Sequence, residues 1–325
     1  MTDQLPTISV IVAARPEQAD LIAVGAARAL DYPKQNLELL VSRGRQPSAQ
    51  RNAALKIARG ELVYFLDDDS APAPANLRRA IAHFADPDVQ VVGGPSICPP
   101  DAPFIEQVFA LVLSSWLAFG PSRARYAQVG SVRATTEKEL ILCNLLARKQ
   151  TLVALGGFNE ALYPNEENAL MDAIQARGGK LVYDPELVVY RRPRRTLRAF
   201  AKMLFTYGRG RAEQFRVYPT FGSALNFVPP VFCFYLAVAL PLTLSLGVMN
   251  AKIVLGPLAV YGVALCAQAI GLIARGGFLA GICAAPLVAL THVLYGLGFW
   301  RGLFTKLAVH APGREHQVVV ETVTV

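Results

Sequence analysis

The sequence predicts an α/β domain built on an open parallel sheet, followed by a bundle of about three transmembrane helices. Three observations carry that expectation. Short apolar runs alternate with helical patterns through the first two thirds of the 325 residues, the composition changes abruptly after Asn226, and three long stretches beyond it are almost uncharged. Bulk composition agrees: 53% of residues are apolar, 17% are charged and the mean hydropathy is +0.34, whereas about a quarter of the residues in a soluble domain are charged.

The runs Ile8 to Ala13, Leu37 to Val41, Leu62 to Leu66 and Val89 to Gly93 are β-branched or almost continuously apolar, as strands buried on both faces of a parallel sheet are. Between them Ala19 to Leu30, Ser48 to Arg59 and Pro74 to Phe84 read as helices, with Ser48 as the N-cap of the second. Farther on, Trp116 and Phe119 are read with the apolar Phe109 to Leu117 as core. Strand, helix and strand at this spacing make βαβ units, and such sheets bind ligands beyond the carboxyl ends of their strands. The first domain is expected over residues 1–190.

Residues 191–226 form a basic stretch. Arg191, Arg192, Arg194, Arg195, Arg198, Lys202, Arg209, Arg211 and Arg216 are opposed there only by Glu213, while Leu197, Phe200, Ala201, Leu204 and Phe205 recur at helical spacing. That pattern predicts an amphipathic helix lying in a membrane interface. The spans follow within 227–304, at about 227–249, 253–273 and 278–299, each roughly the 20 residues that cross a hydrocarbon core. A tail occupies 305–325. Positive charge beside the first span marks the cytoplasmic side and attracts anionic lipid head groups. An odd number of spans then puts the tail outside despite Arg301, Lys306 and Arg314.

Composition also excludes functions. Cys98, Cys143, Cys233, Cys266 and Cys283 contain no CxxC pair, and His83, His292, His310 and His316 show no paired spacing, which argues against a zinc site or a disulfide framework. The net charge of +8 fits an anionic partner. Its placement against a span assigns that charge to the membrane rather than to nucleic acid. The first residues lack the basic and apolar regions of an export signal, so the first domain is expected in the cytoplasm.

The chemistry-bearing feature is Asp67-Asp68-Asp69, directly after the strand Leu62 to Leu66. Three carboxylates at the mouth of a sheet repel one another and need compensation. Carboxylate oxygens bind Mg²⁺ or Mn²⁺, which would bridge to a diphosphate and neutralise a departing nucleotide. Alternation along the extended chain puts Asp67 and Asp69 on one side and Asp68 on another. Arg51 is a second candidate for diphosphate oxygens.

The order Arg51-Asn52-Ala53-Ala54, Ala58-Arg59-Gly60-Glu61 and Phe65-Leu66-Asp67-Asp68-Asp69 resembles the family 2 glycosyltransferases, whose pattern is close to RNxG, AxGE and FLDxD. Gly156-Gly157-Phe158-Asn159-Glu160 is similar to the family's GGFDE, Glu166-Glu167 stands where its ED pair stands, and Gly178-Gly179-Lys180 with Tyr183-Asp184-Pro185 matches its later segments. The resemblance implies a GT-A fold, a Rossmann-like nucleotide-diphospho-sugar transferase domain. It implies a divalent metal on Asp67 and Asp69, and donor binding by Ala13, Arg15, Glu17, Ser42, Arg51, Asp67, Asp68 and Gly94. It further implies catalysis at Glu166 and Glu167, with Glu167 as the general base.

This chain departs from the family at several points. Arg15-Pro16-Glu17 replaces the usual Arg-Asn-Glu, Ser42-Arg43-Gly44 replaces an Asp pair, Arg191 replaces a metal-facing His, and the base is Glu instead of Asp. The expected function is inverting, metal-dependent transfer of a sugar, with a UDP-sugar favoured as donor, to a lipid-linked or membrane-proximal glycan acceptor at a cell inner membrane. A processive synthase is disfavoured because QxxRW has no counterpart. The rival from another class is a catalytically silent nucleotide-sugar sensor or assembly partner.

Overall fold

The computed structural model describes residues 5–162, 164–245, 248–307 and 317–325. His310, Arg314 and His316 lie outside them. The chain divides into two compact units: residues 1–99, 121–192 and 308–325 form the first, and residues 100–120 and 193–307 form the second.

The first unit is built on β1 (Ile8–Ala14), β2 (Leu37–Arg43), β3 (Leu62–Asp67), β4 (Ala71–Pro72), β5 (Val89–Gly93), β6 (Ser96–Ile97), β7 (Arg133–Thr135), β8 (Leu145–Arg148), β9 (Lys180–Tyr183), β10 (Val189–Tyr190) and β11 (Val319–Val323). Eight of these form one sheet in the order β11-β2-β1-β3-β8-β5-β9-β7, while β4, β10 and β6 form a smaller one. Parallel pairing holds for β1 with β2 and β3, and for β5 with β9. The sheet is nevertheless mixed, because β8 is inserted antiparallel between β3 and β5, and β7 and β11 pair antiparallel near the edges. β8 is only four residues long, too short for its alternation to announce a strand.

Alternation sorts the core. Val10, Val12, Leu39, Val41, Tyr64 and Leu66 pack on one face of the sheet, and Ile11, Leu40, Val63 and Phe65 pack on the other, which is why the central strands read as continuous apolar runs. The helices are shorter than expected, at Ile22–Arg28, Pro47–Ile57 and Asn76–His83. The expected N-cap also moves. Gln46, not Ser48, accepts from the Ala49 N–H, because Pro47 opens the helix and places Ser48 inside it.

Several motif residues are scaffold. Asn52 donates to the Phe158 carbonyl at 2.9 Å and to Glu160 Oε1 at 3.0 Å, and accepts from the Phe158 N–H at 2.8 Å, clamping one motif to another. Asp184, fully buried, receives Arg79 at 2.7 and 3.0 Å and lies 2.8 Å from His83. Gly94 is present because backbone approaches it: a Cβ there would lie 2.2 Å from the Leu187 carbonyl oxygen and 2.5 Å from that of Asp184. Gly94→Ala is expected to destabilise the unit by about 1–3 kcal/mol, as overpacking does. A thermal midpoint no lower than wild type would contradict this.

In the second unit, Ser223–Thr243, Val254–Gly276 and Phe278–Phe304 are three helical stretches long and apolar enough to cross a membrane. Val231, Phe234, Val260, Val263, Ile270 and Leu279 are exposed along them, as lipid-facing side chains are. The basic stretch folds as the helix Leu197–Val217, opened by the Thr196 hydroxyl accepting from the Ala199 N–H at 3.2 Å. It packs along Phe278–Phe304 at backbone distance. A Cβ on Gly208 would lie 2.0 Å from the Tyr295 oxygen, and one on Gly298 would lie 2.0 Å from that of Phe205. Small residues permit such close crossings in membrane bundles. Phe109 is core, stacked on Phe200 at 4.3 Å, but Trp116 is not: it is 64% exposed, because it follows the Ser114-Ser115 break and projects from a new, four-residue helix.

Candidate active site

The carboxyl ends of the central strands bring the sequence candidates together in part. Register sets Ala13 beside Ser42 on one side and Asp67 on the other. Ser42 is fully buried, and its hydroxyl donates to the Gln50 carbonyl at 2.7 Å, so it anchors the helix Pro47–Ile57 with its side chain turned from solvent. Arg15 and Glu17 stand in the exposed turn after β1, Glu17 against Arg45. The Arg15 carbonyl accepts from Arg43, whose Nε lies 3.1 Å from Glu321 on β11.

The helix Pro47–Ile57 presents Arg51, with only 7% of its side chain exposed, to two acids. Its Nη2 is 2.8 Å from Asp67 Oδ1 and its Nη1 is 3.1 Å from Glu166 Oε1. Glu166 and Glu167 open the helix Glu166–Ala176, where its dipole favours negative charge. Glu166 is 2% exposed, and among the described residues its Oε2 has no hydrogen-bond partner. Burial pushes its carboxyl up to about 7, with the Glu167 charge adding to the rise and Arg51 opposing it. Glu167, one position on, is partly exposed and lies 3.5 Å from Asn168 Nδ2.

The smaller sheet brings in Arg191, a residue that sequence reasoning marked as a departure but left out of the site. β10 pairs with β4, which begins two residues after Asp69, and the Arg191 N–H donates to the Ile97 carbonyl at 2.9 Å. The guanidinium then sits against both outer aspartates, with Nη2 at 3.1 Å from Asp67 Oδ2 and Nε at 2.6 Å from Asp69 Oδ1. Burial opposes its charge, yet Asp67 and Asp69 outweigh burial and hold its pKa well above the usual guanidinium value. Asp67 and Asp69 do share one side, as alternation predicts. Asp68 is a neighbour whose carbonyl accepts from the Ala23 N–H at 3.2 Å.

The donor chemistry of Asp67 and Asp69 suits Mg²⁺ or Mn²⁺, but their placement does not. Both oxygens of Asp67 and one of Asp69 already face guanidinium groups, and a dication cannot share them without displacing a like charge. Among the described residues, no three of His, Cys, Asp and Glu converge as a ligand group.

Residues 9–126 match the family model described as Glycosyl transferase family 2. No curated protein sequence matches the chain. Among solved structures, the mannosyltransferase PcManGT from Pyrobaculum calidifontis, in complex with GDP-Man and Mn²⁺, is similar at a TM-score of 0.55 and 18% identity, over 92% of this chain and 88% of that one. The 1–349 portion of S. aureus TarS in complex with UDP-GlcNAc gives a TM-score of 0.44 at 14% identity, over 92% and 93%. The acidic triplet at the end of β3 and the family match over residues 9–126 point the same way: that segment matches the family 2 glycosyltransferases, within a mixed α/β unit of GT-A fold, and among the described residues three helices of membrane-spanning length follow it.

Proposed function

We propose that this chain transfers a sugar, with inversion, from a nucleoside-diphosphate sugar to a lipid-linked or membrane-proximal acceptor, Glu167 acting as general base. The observation that carries this reading is the connected series Glu166, Arg51, Asp67, Arg191 and Asp69 at the carboxyl ends of the strands, with Glu167 beside it at a helix start. In the reaction an acceptor hydroxyl oxygen attacks the anomeric carbon. The bond from that carbon to the diphosphate breaks with its electron pair passing to the phosphate, and the hydroxyl proton passes to Glu167. Arg51 and Arg191 present fixed donors to the developing charge, which costs little reorganisation when they are held in place beforehand. A UDP-sugar is the favoured donor. A divalent cation on Asp67 and Asp69 would supply Lewis-acid stabilisation to the same leaving group, but with two guanidinium groups on those carboxylates no step is routed through it.

The acceptor class is supported by the spans and by the basic helix, which would hold the chain at an anionic surface and raise the local concentration of a lipid acceptor. The cluster before the first span favours a cytoplasmic placement of the catalytic unit at an inner membrane. The test is nucleotide release and product formation by the purified full chain in nanodiscs, using UDP-sugars and GDP-mannose against a polyprenyl-phosphate glycan and the same glycan without lipid. Transfer is expected to be faster to the lipid-linked form. Equal rates would remove the acceptor proposal, and binding of donor with no turnover on any acceptor would favour the silent sensor.

A further inference from the structure

We propose that the guanidinium of Arg191 is the resident cation of the donor site, taking the place between Asp67 and Asp69 that a divalent metal would need, and that the chain binds nucleoside diphosphate without metal. The inference rests on the donor reading above and adds to it the identity of the counter-charge.

Four observations converge. Arg191 bridges the two outer aspartates at 3.1 and 2.6 Å, so its position coincides with the one a dication would take. Its backbone is pinned by the pairing of β10 with β4 and β6 and by the bond from its N–H to Ile97, so the charge is delivered by the fold, not by a wandering side chain. Asp67 is further committed to Arg51 at 2.8 Å. Finally, a quarter of the Arg191 side chain stays exposed.

A guanidinium carries five N–H donors and does not lose its proton in proteins. The two aspartates engage Nε and Nη2, and the remaining donors match the oxygens of a diphosphate in the forked geometry that makes arginine a phosphate binder. When the bond from the anomeric carbon to the diphosphate breaks, the electron pair that passes to the phosphate oxygen meets this fixed positive charge.

The experiment uses the full chain in detergent, with MnCl₂, UDP and GDP as probes. Electron paramagnetic resonance reads free Mn²⁺, and calorimetry reads nucleotide affinity in EDTA and in Mn²⁺. For the wild type, the Mn²⁺ signal is expected to be unchanged by protein, and UDP or GDP affinity is expected to agree within about twofold in the two buffers. Arg191→Ala should weaken that affinity in EDTA by about tenfold or more, the loss of a charge-assisted contact. Arg191→His should begin to bind Mn²⁺ and make nucleotide binding depend on it, with circular dichroism verifying its fold.

The wild-type arms need no variant, so a misfolded variant does not protect the idea. If the wild type depletes the Mn²⁺ signal and loses about tenfold in nucleotide affinity in EDTA, the assignment to Arg191 falls while the donor reading stands. If neither nucleotide binds in either buffer, the donor reading fails and this proposal fails with it.

Discussion

Glu167→Gln is expected to lower the rate of sugar transfer by about 10²- to 10⁴-fold, the range in which a general base contributes, with donor affinity and thermal midpoint close to wild type. The choice between two adjacent acids follows from their surroundings. Glu166 is 2% exposed and held by Arg51, and burial has raised its carboxyl to about 7, so at neutral pH it is partly protonated and closed off from an incoming hydroxyl. Glu167 is partly exposed, and among the described residues its carboxylate accepts only the weak 3.5 Å contact from Asn168. Steady-state transfer with saturating donor, for Glu167→Gln and Glu166→Gln in parallel, decides between them. A larger loss of kcat in Glu166→Gln than in Glu167→Gln would reverse the assignment.

The raised Glu166 pKa also sets a direction for stability against pH. An acid near 4.5 when unfolded and about 7 when folded binds more protons in the native state between those values. The stability it contributes is therefore complete below about 4.5 and falls as pH rises towards about 7. Thermal midpoints across that window should fall less in Glu166→Gln than in wild type, and equal slopes would count against the burial argument.

Arg51→Met carries the largest expected effect on stability. It strips the shared cation from Glu166 and Asp67, leaving one fully buried and one mostly buried carboxylate without it, and breaking a buried pair from one side costs about 3–5 kcal/mol. For a unit of this size each kcal/mol lowers the midpoint by roughly 2–4 °C, so a fall on the order of 6–20 °C is expected. Glu166→Gln placed on top of Arg51→Met should recover part of it, because the stranded charge is then gone. A double-mutant cycle measures the coupling, and strictly additive effects would show that the Arg51 to Glu166 contact contributes nothing.

Much of this was legible in one dimension. The central strands, the acidic triplet after β3 and the acid pair at a helix start are local patterns, and local patterns are what apolar period and residue order record. Motif order placed Arg51, Asp67 and Glu166 in one site, but their ion pairs, with Arg51 and Glu166 115 positions apart, are seen only in the fold. The misses share a physical cause. Ser48 looked like a cap because a hydroxyl at that place is usual, but Pro47 had already started the helix. Ser42 looked available after β2, yet its hydroxyl is used by Gln50.

The sequence by itself determined the α/β class, the presence of long apolar helices after it and the family resemblance of residues 9–126, since each depends on composition, period and residue order within a short window. Only the tertiary structure decided which cation stands between Asp67 and Asp69, that β8 runs antiparallel inside the sheet, and that β11 returns to cover the edge at β2. Those outcomes depend on pairings across 122 positions for Arg191 with Asp69 and 278 for Arg43 with Glu321. No local periodicity specifies such meetings, because they are selected by which backbone edges and opposite charges the folded chain leaves facing each other.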